Sequence, residues 1–225
     1  MHRWRQALVL PDVLDLTFQG FSVEAFQLLD RLQANPHIEQ YKVEREGIRH
    51  WLTAPFQSYR DDLVVNWVLP NQLPFETERN VFSRLLKNDF GAGGCHHHLW
   101  MSFYRIGESR LRDVQLVHNL SPEGFTLGLY LSRKVNLFER WRAANREEMK
   151  RLAGVLHPLL QDKKAVENWL VATLPLAEEF WVRSLVPRDQ VLNLGKGLVG
   201  HALTTISQLW ELYSVILFLK PPATT

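Results

Sequence analysis

The sequence predicts an α+β fold in which an antiparallel β-meander, over about residues 96–132, packs with several long amphipathic helices. Three observations lead there. Between 96 and 132 apolar residues recur at every second position, whereas the flanking stretches repeat at helical spacing. The strand signals form one block instead of alternating with helices, which argues against a parallel βαβ sheet. No internal repeat, low-complexity tract or Gly/Ser linker divides the 225 residues. Residues 1–219 are therefore expected to form a single α+β domain, with "KPPATT" at 220–225 as a flexible tail or linker.

The first helix is expected over 22–34: Ser22 can cap it, Val23, Phe26 and Leu29 share one face, and Asn35-Pro36 stops it. A second helical region covers about 39–66, where Ile48, Trp51 and Leu52 form a stripe and Pro55 is expected to break the run into two pieces. Residues 76–90 fit helix and strand equally. Gly91, Gly93 and Gly94 make a flexible lead into "CHHHLWMSFYR".

In the meander, His97, Leu99, Met101 and Phe103 alternate with His96, His98, Trp100, Ser102 and Tyr104. After "IGES" comes "RLRDVQLVHNL", and after the turn signal "SPEG" comes "FTLGLYLS", with Phe125, Leu127, Leu129 and Leu131 on one face. A long amphipathic helix is expected from Asn136 to near Pro158, a short one over 163–172, and a C-terminal one over 198–219 carrying Leu209, Leu212 and Ile216. The apolar stretch 178–185 has no clear assignment.

Centring the two turns on Gly107-Glu108 and Pro122-Glu123 aligns Leu99, Leu116 and Leu129 in one core row, with Met101, Val114 and Leu131 beside them. On the opposite face Trp100, Gln115 and Tyr130 form a row. Strand alternation places His96, His98 and Tyr104 on that second face, and turns Cys95 and His97 away from it, with His97 opposite His118.

Composition narrows the function classes. With 26 basic against 24 acidic side chains, the net charge of +2 excludes the strongly basic stripe of a dedicated duplex-DNA binder. A single cysteine, Cys95, rules out an intrachain disulfide framework. The opening apolar run is broken by Pro11 and Asp12, a poor secretion signal, so a cytoplasmic location is expected. The longest apolar run, "YSVILFL", falls far short of the roughly 18–20 residues a span needs, so no membrane partner is expected.

Three chemistries can be asked of the histidine-rich strand. A metal site would rest on His96 and His98, with Asp113 or a distant carboxylate as a further ligand, but the lone cysteine and this pair face opposite ways. A Cys95 nucleophile could draw on His97 or His118, on a face that is mostly aliphatic. The third is a stacking platform: Trp100, Tyr104 and Tyr130 on an open sheet, with Gln115 beside them. Arg105, Arg110, Arg112, Arg133 and Lys134 at the strand ends would rim it with cations, as on sheets that hold single-stranded nucleic acid. Against it stands the simpler possibility that helices cover this face and the aromatics are core.

Elsewhere the signals are weak. "LGKGLVG" at 194–200 lacks the phosphate-loop spacing, "RAANREEMKR" reads as a solvated helix face, and Asp61-Asp62 and Glu178-Glu179 are adjacent and so diverge on a helix.

The stretch from "FQGFSVEAFQLLDRLQANPHIEQ" to "FQSYRDDL" resembles the opening of a widespread bacterial family of unknown function. "HHHLWMSFYRIGESRLRDVQLVHNLSPEGFTLGLYLS" and "LVGHALTTISQLWELYSVILFL" are similar to the N-terminal domains of McrB-like AAA+ NTPases. Residues 87–95, "KNDFGAGGC", depart from that pattern, with Lys87 and Asp89 alone in correspondence. The resemblance implies a non-enzymatic recognition or adaptor module of a bacterial, defence-related NTPase system. Its implied partners are an AAA+ NTPase or nuclease subunit, and nucleic acid. No cofactor is implied. The alternatives are a metal-dependent hydrolase using His96 and His98, or a structural subunit of an assembly.

Overall fold

The computed structural model describes residues 7–132 and 179–217. The long helix expected from Asn136, the short one over 163–172, the 220–225 tail, Arg133 and Lys134 lie outside the described residues. Helix α1 (Val23–Ala34) begins where expected, with the Ser22 hydroxyl accepting from the Ala25 amide at 3.4 Å. It buries Phe26, Leu29 and Leu32.

The second helical region runs as α2 (Ile38–Val43), α3 (Arg45–Gly47), a π-wound turn (Ile48–Thr53), α4 (Ala54–Leu63) and a second π-wound turn (Val64–Val68). Pro55 does not break it, which corrects the sequence expectation. A proline ring collides with the carbonyl four residues back in an α-helix. Here the preceding turn is wound wider, so the Ala54 amide reaches the Arg49 carbonyl and the helical run continues through the proline.

Four strands form one antiparallel sheet in chain order: β1 (Leu99–Phe103), β2 (Gln115–Ser121), β3 (Gly124–Ser132) and β4 (Glu179–Pro187). β4 extends the expected three-stranded meander and arises from the stretch left unassigned. The β2–β3 hairpin has the expected register, with Gln115 opposite Tyr130 and Leu116 opposite Leu129.

The β1–β2 register does not. Leu99 pairs with Leu120 instead of Leu116, and Trp100 pairs with Asn119 instead of Gln115. The connection is longer than a tight turn because Asp113, buried at its far end, accepts the Arg105 amide at 2.8 Å and its guanidinium at 2.7 Å. A short 3₁₀ turn (Arg110–Arg112) fills the loop. The shift is by an even number of residues, so the paired residues of β1, Leu99–Phe103, keep their expected faces.

The stretch 76–90, which fits helix and strand equally in sequence, forms neither, and the chain from Phe75 to Leu86 follows the outer edge of β1 with a turn at Arg79-Asn80. Phe75, Phe82 and Leu86 make isolated bridges to Arg105, Met101 and Cys95. This pairs an edge that would otherwise present open hydrogen-bonding groups.

The core lies on one face of the sheet. Phe125, Leu127 and Leu129 of β3 are buried there, Phe125 against Phe21, Phe56 and Tyr59, and Phe103 of β1 meets Trp67 at 5.3 Å between ring centroids. Two further helices follow β4: α5 (Arg188–Leu194) and α6 (Leu198–Leu217), the latter adding Leu209, Trp210, Leu212 and Tyr213 to the core. The N-terminal arm is held on the outside of this layer by side chains that imitate a strand edge. Asp62 accepts from the Thr17 and Phe18 amides and the Thr17 hydroxyl, while Asn66 and Asn71 each bond both a donor and an acceptor of the arm. Among the described residues no helix is long and apolar enough to cross a membrane.

His118 sits in this core at 1% exposure, its Nδ1 2.9 Å from the Tyr59 hydroxyl. Burial pushes its pKa from the usual 6.5 down to about 3, so the fold holds it neutral. Between those values the unfolded chain binds one proton more than the folded one, so stability falls as pH drops below about 6.5. From pH 6.5 to about 4.5 His118 should remove on the order of 2–3 kcal/mol. Urea unfolding at the two pH values is expected to show this loss, and His118→Gln should reduce it; an unchanged pH dependence in the variant would contradict the assignment.

Candidate nucleic-acid interface

The second face of the sheet carries a cavity of about 820 Å3. That is within the range of sites that hold small molecules. Its floor follows from pairing. One row crosses the sheet as Gln115, Tyr130 and Trp181, a second as Val117, Gly128 and Arg183, and a third as Trp100, Asn119, Thr126 and Leu185. His97, His98, Ser121 and Glu123 close one end, and Leu111 from the β1–β2 loop stands at the other.

The expected row of Trp100, Gln115 and Tyr130 is therefore corrected. Gln115 and Tyr130 are neighbours, but Trp100 lies two rows away because of the shifted β1–β2 register. Tyr130 gains a partner from β4 instead: its ring and that of Trp181 lie 4.3 Å apart at 39°. Trp181 is 36% exposed and Tyr130 half-buried, so the pair is not sealed in a core. Trp100 is half-buried, with the Arg110 guanidinium 4.4 Å over its ring.

Gln115 is the unusual group on this face. It is fully buried, and neither its amide nitrogen nor its amide oxygen has a hydrogen-bond partner. Nearly all buried polar side chains are satisfied, so an unpartnered carboxamide at a cavity requires an explanation.

The expected cationic rim is largely engaged elsewhere. Arg105 is tied to Asp113, and Arg110 donates to the carbonyls of Val81 and Phe82 at 3.3 and 2.9 Å. Both hold the outer extended segment and the β1–β2 loop in place. Arg112 is exposed on its 3₁₀ turn. Tyr104 is buried beyond the end of β1, its hydroxyl donating to the Arg79 carbonyl at 2.8 Å, and belongs to the scaffold. Among the described lining residues the charged groups are Glu123 and Arg183.

The histidines are placed differently from the alternation expected of them. Regular pairing starts only at Leu99, so the residues before it do not obey strand parity. His97 joins His98 at the cavity instead of turning to the core, and the two rings lie 5.5 Å apart. His96 is 5.0 Å from His98 but does not line the cavity. Burial, with neighbouring cations, pushes His98 down to about 4 and lowers His96, so both are neutral donors and acceptors near pH 7. The Ser121 hydroxyl helps hold Glu123 below the usual carboxylate range.

Among the described residues no three metal-ligating side chains converge, so His96 and His98 lack a further ligand there. Cys95 is buried, its Sγ 3.6 Å from the His37 carbonyl, and burial pushes its thiol up. Such a thiol is a poor nucleophile.

Trp181, Arg183 and Leu185 went unassigned in sequence, although "FWVRSLV" at 180–186 does alternate and ends at Pro187. Comparison of the chain with known protein families, curated proteins and solved structures finds no match.

Proposed function

We propose that this chain is a non-enzymatic recognition module that holds single-stranded nucleic acid on the second face of its sheet. The observation that carries the reading is the Tyr130–Trp181 pair, half open at one side of a cavity on a sheet face. A base has a π-face that stacks on such a pair, and each stacked base contributes roughly 1–3 kcal/mol. Because one carboxylate and one guanidinium balance among the described lining residues, it is the bases and not the phosphates that this reading puts in the cavity. Binding should then depend only weakly on salt, with a slope near −0.7 for each phosphate that Arg112 or Arg183 contacts. In the setting that the resemblance to McrB-like N-terminal domains implies, a separate NTPase subunit would supply the motor.

Fluorescence anisotropy of labelled single-stranded oligonucleotides at low salt tests this. Binding is expected, and Trp181→Ala should weaken it by roughly 5- to 100-fold while leaving Tm nearly unchanged, since Trp181 is 36% exposed. Absence of binding at low salt would remove the nucleic-acid reading, and capture of a protein on the same face would replace it.

A further inference from the structure

We propose that Gln115 reads the hydrogen-bonding edge of one planar heterocycle seated in the cavity, its carboxamide pairing with an adjacent donor and acceptor on the ring. This rests on the proposed function but goes further, because stacking alone does not distinguish one base edge from another.

The carboxamide offers a donor and an acceptor side by side in one plane. Every nucleobase presents the complementary pair, and glutamine makes this bidentate contact to bases. In the described structure both carboxamide atoms are buried without hydrogen-bond partners, so a ring that pairs with them satisfies two buried polar atoms at once. The ring that satisfies Gln115 lies beside Tyr130, its cross-strand partner, and Trp181 extends the same row.

The chemistry is that of an uncharged heterocycle with neighbouring donor and acceptor. Two sources supply it, a base within a strand or a free nucleoside, and the experiment separates them. The proposal predicts opposite effects of one substitution on folding and on binding. Removing an unsatisfied buried amide in favour of an apolar group of similar shape is neutral or stabilising, whereas a ligand that paired with it loses both bonds.

The test titrates wild type and Gln115→Leu with the four homopolymeric oligonucleotides and the four free nucleosides. The best-bound homopolymer is then compared with the same strand N-methylated on the base edge, which keeps stacking and removes the pairing. The expected results are a loss of roughly 10- to 100-fold on methylation and on Gln115→Leu, with a Tm for Gln115→Leu equal to or above wild type. Equal binding of the methylated strand by wild type would overturn the proposal without reference to the variant's folding, and would leave the stacking interface standing. Failure of every strand and every nucleoside to bind would overturn both. Nucleosides that bind as tightly as strands identify the free heterocycle as the source, and strands that bind alone identify the polymer, each with the same dependence on Gln115.

Discussion

Asp113→Ala is expected to destabilise the fold by about 3 kcal/mol, toward the lower end for breaking a buried ion pair because Arg105 keeps some solvent contact. The carboxylate is fully buried and accepts three kinds of donor from Arg105: the backbone amide at 2.8 Å, Nε at 3.1 Å and Nη2 at 2.7 Å. Alanine leaves an amide and a half-buried guanidinium without their acceptor, and the β1–β2 loop loses its closure. For a chain of this size the corresponding drop in Tm is roughly 6–12 °C. Asp113→Asn, which keeps an acceptor for the amide, should lose less. Because this loop carries Leu111 and leads directly into Gln115, the proposed function also predicts weaker oligonucleotide binding by the alanine variant. A Tm within about 2 °C of wild type would mean that the pair does not close the loop.

The second large effect is expected at Gly128, where a side chain meets main chain and not a movable neighbour. A Cβ there would overlap the Val182 carbonyl and approach the Arg183 Cα to 2.9 Å across the β3–β4 pair. Strand backbones held by their ladder cannot separate at one point without losing the flanking hydrogen bonds. Gly128→Val should cost about 3 kcal/mol and Gly128→Ala less, read as denaturant midpoints. Both should weaken oligonucleotide binding, because the strand pushed away is the one that presents Trp181. A valine variant with wild-type stability would contradict the β3–β4 register.

Legibility in the sequence followed the range of the interactions involved. The β2–β3 hairpin was readable in full because "SPEG" is a local turn signal and the apolar alternation on both sides agrees with it. The β1–β2 register was not, since Asp113 and Arg105 close the loop by a buried polar contact that no apolar pattern encodes. Its faces were nevertheless right, because the discrepancy is even. The same limit explains the cations. Arg105 and Arg110 look free in sequence, but the first neutralises a buried carboxylate and the second satisfies carbonyls of a segment whose own conformation was ambiguous. The histidines escape strand parity for a simpler reason: Cys95 to His98 precede Leu99, where β1 and its regular pairing begin.

For the site itself, Gln115 and Tyr130 could be placed on one face from alternation, but the burial and unsatisfied state of Gln115 are properties of the assembled sheet. Trp181 was the larger omission. Its stretch alternates, yet strand β4 pairs with β3 across residues 133–178, and no local signal joins the two.

Under the proposed function, single-stranded nucleic acid lies on the face carrying Tyr130 and Trp181. Ultraviolet cross-linking of a single-stranded oligonucleotide containing 5-bromouracil, followed by mass spectrometry of the tryptic peptides, tests that placement directly. The account predicts adducts on the peptides containing Tyr130 and Trp181, lost when unlabelled strand competes. Adducts confined to other surfaces, or none at low salt, would contradict it.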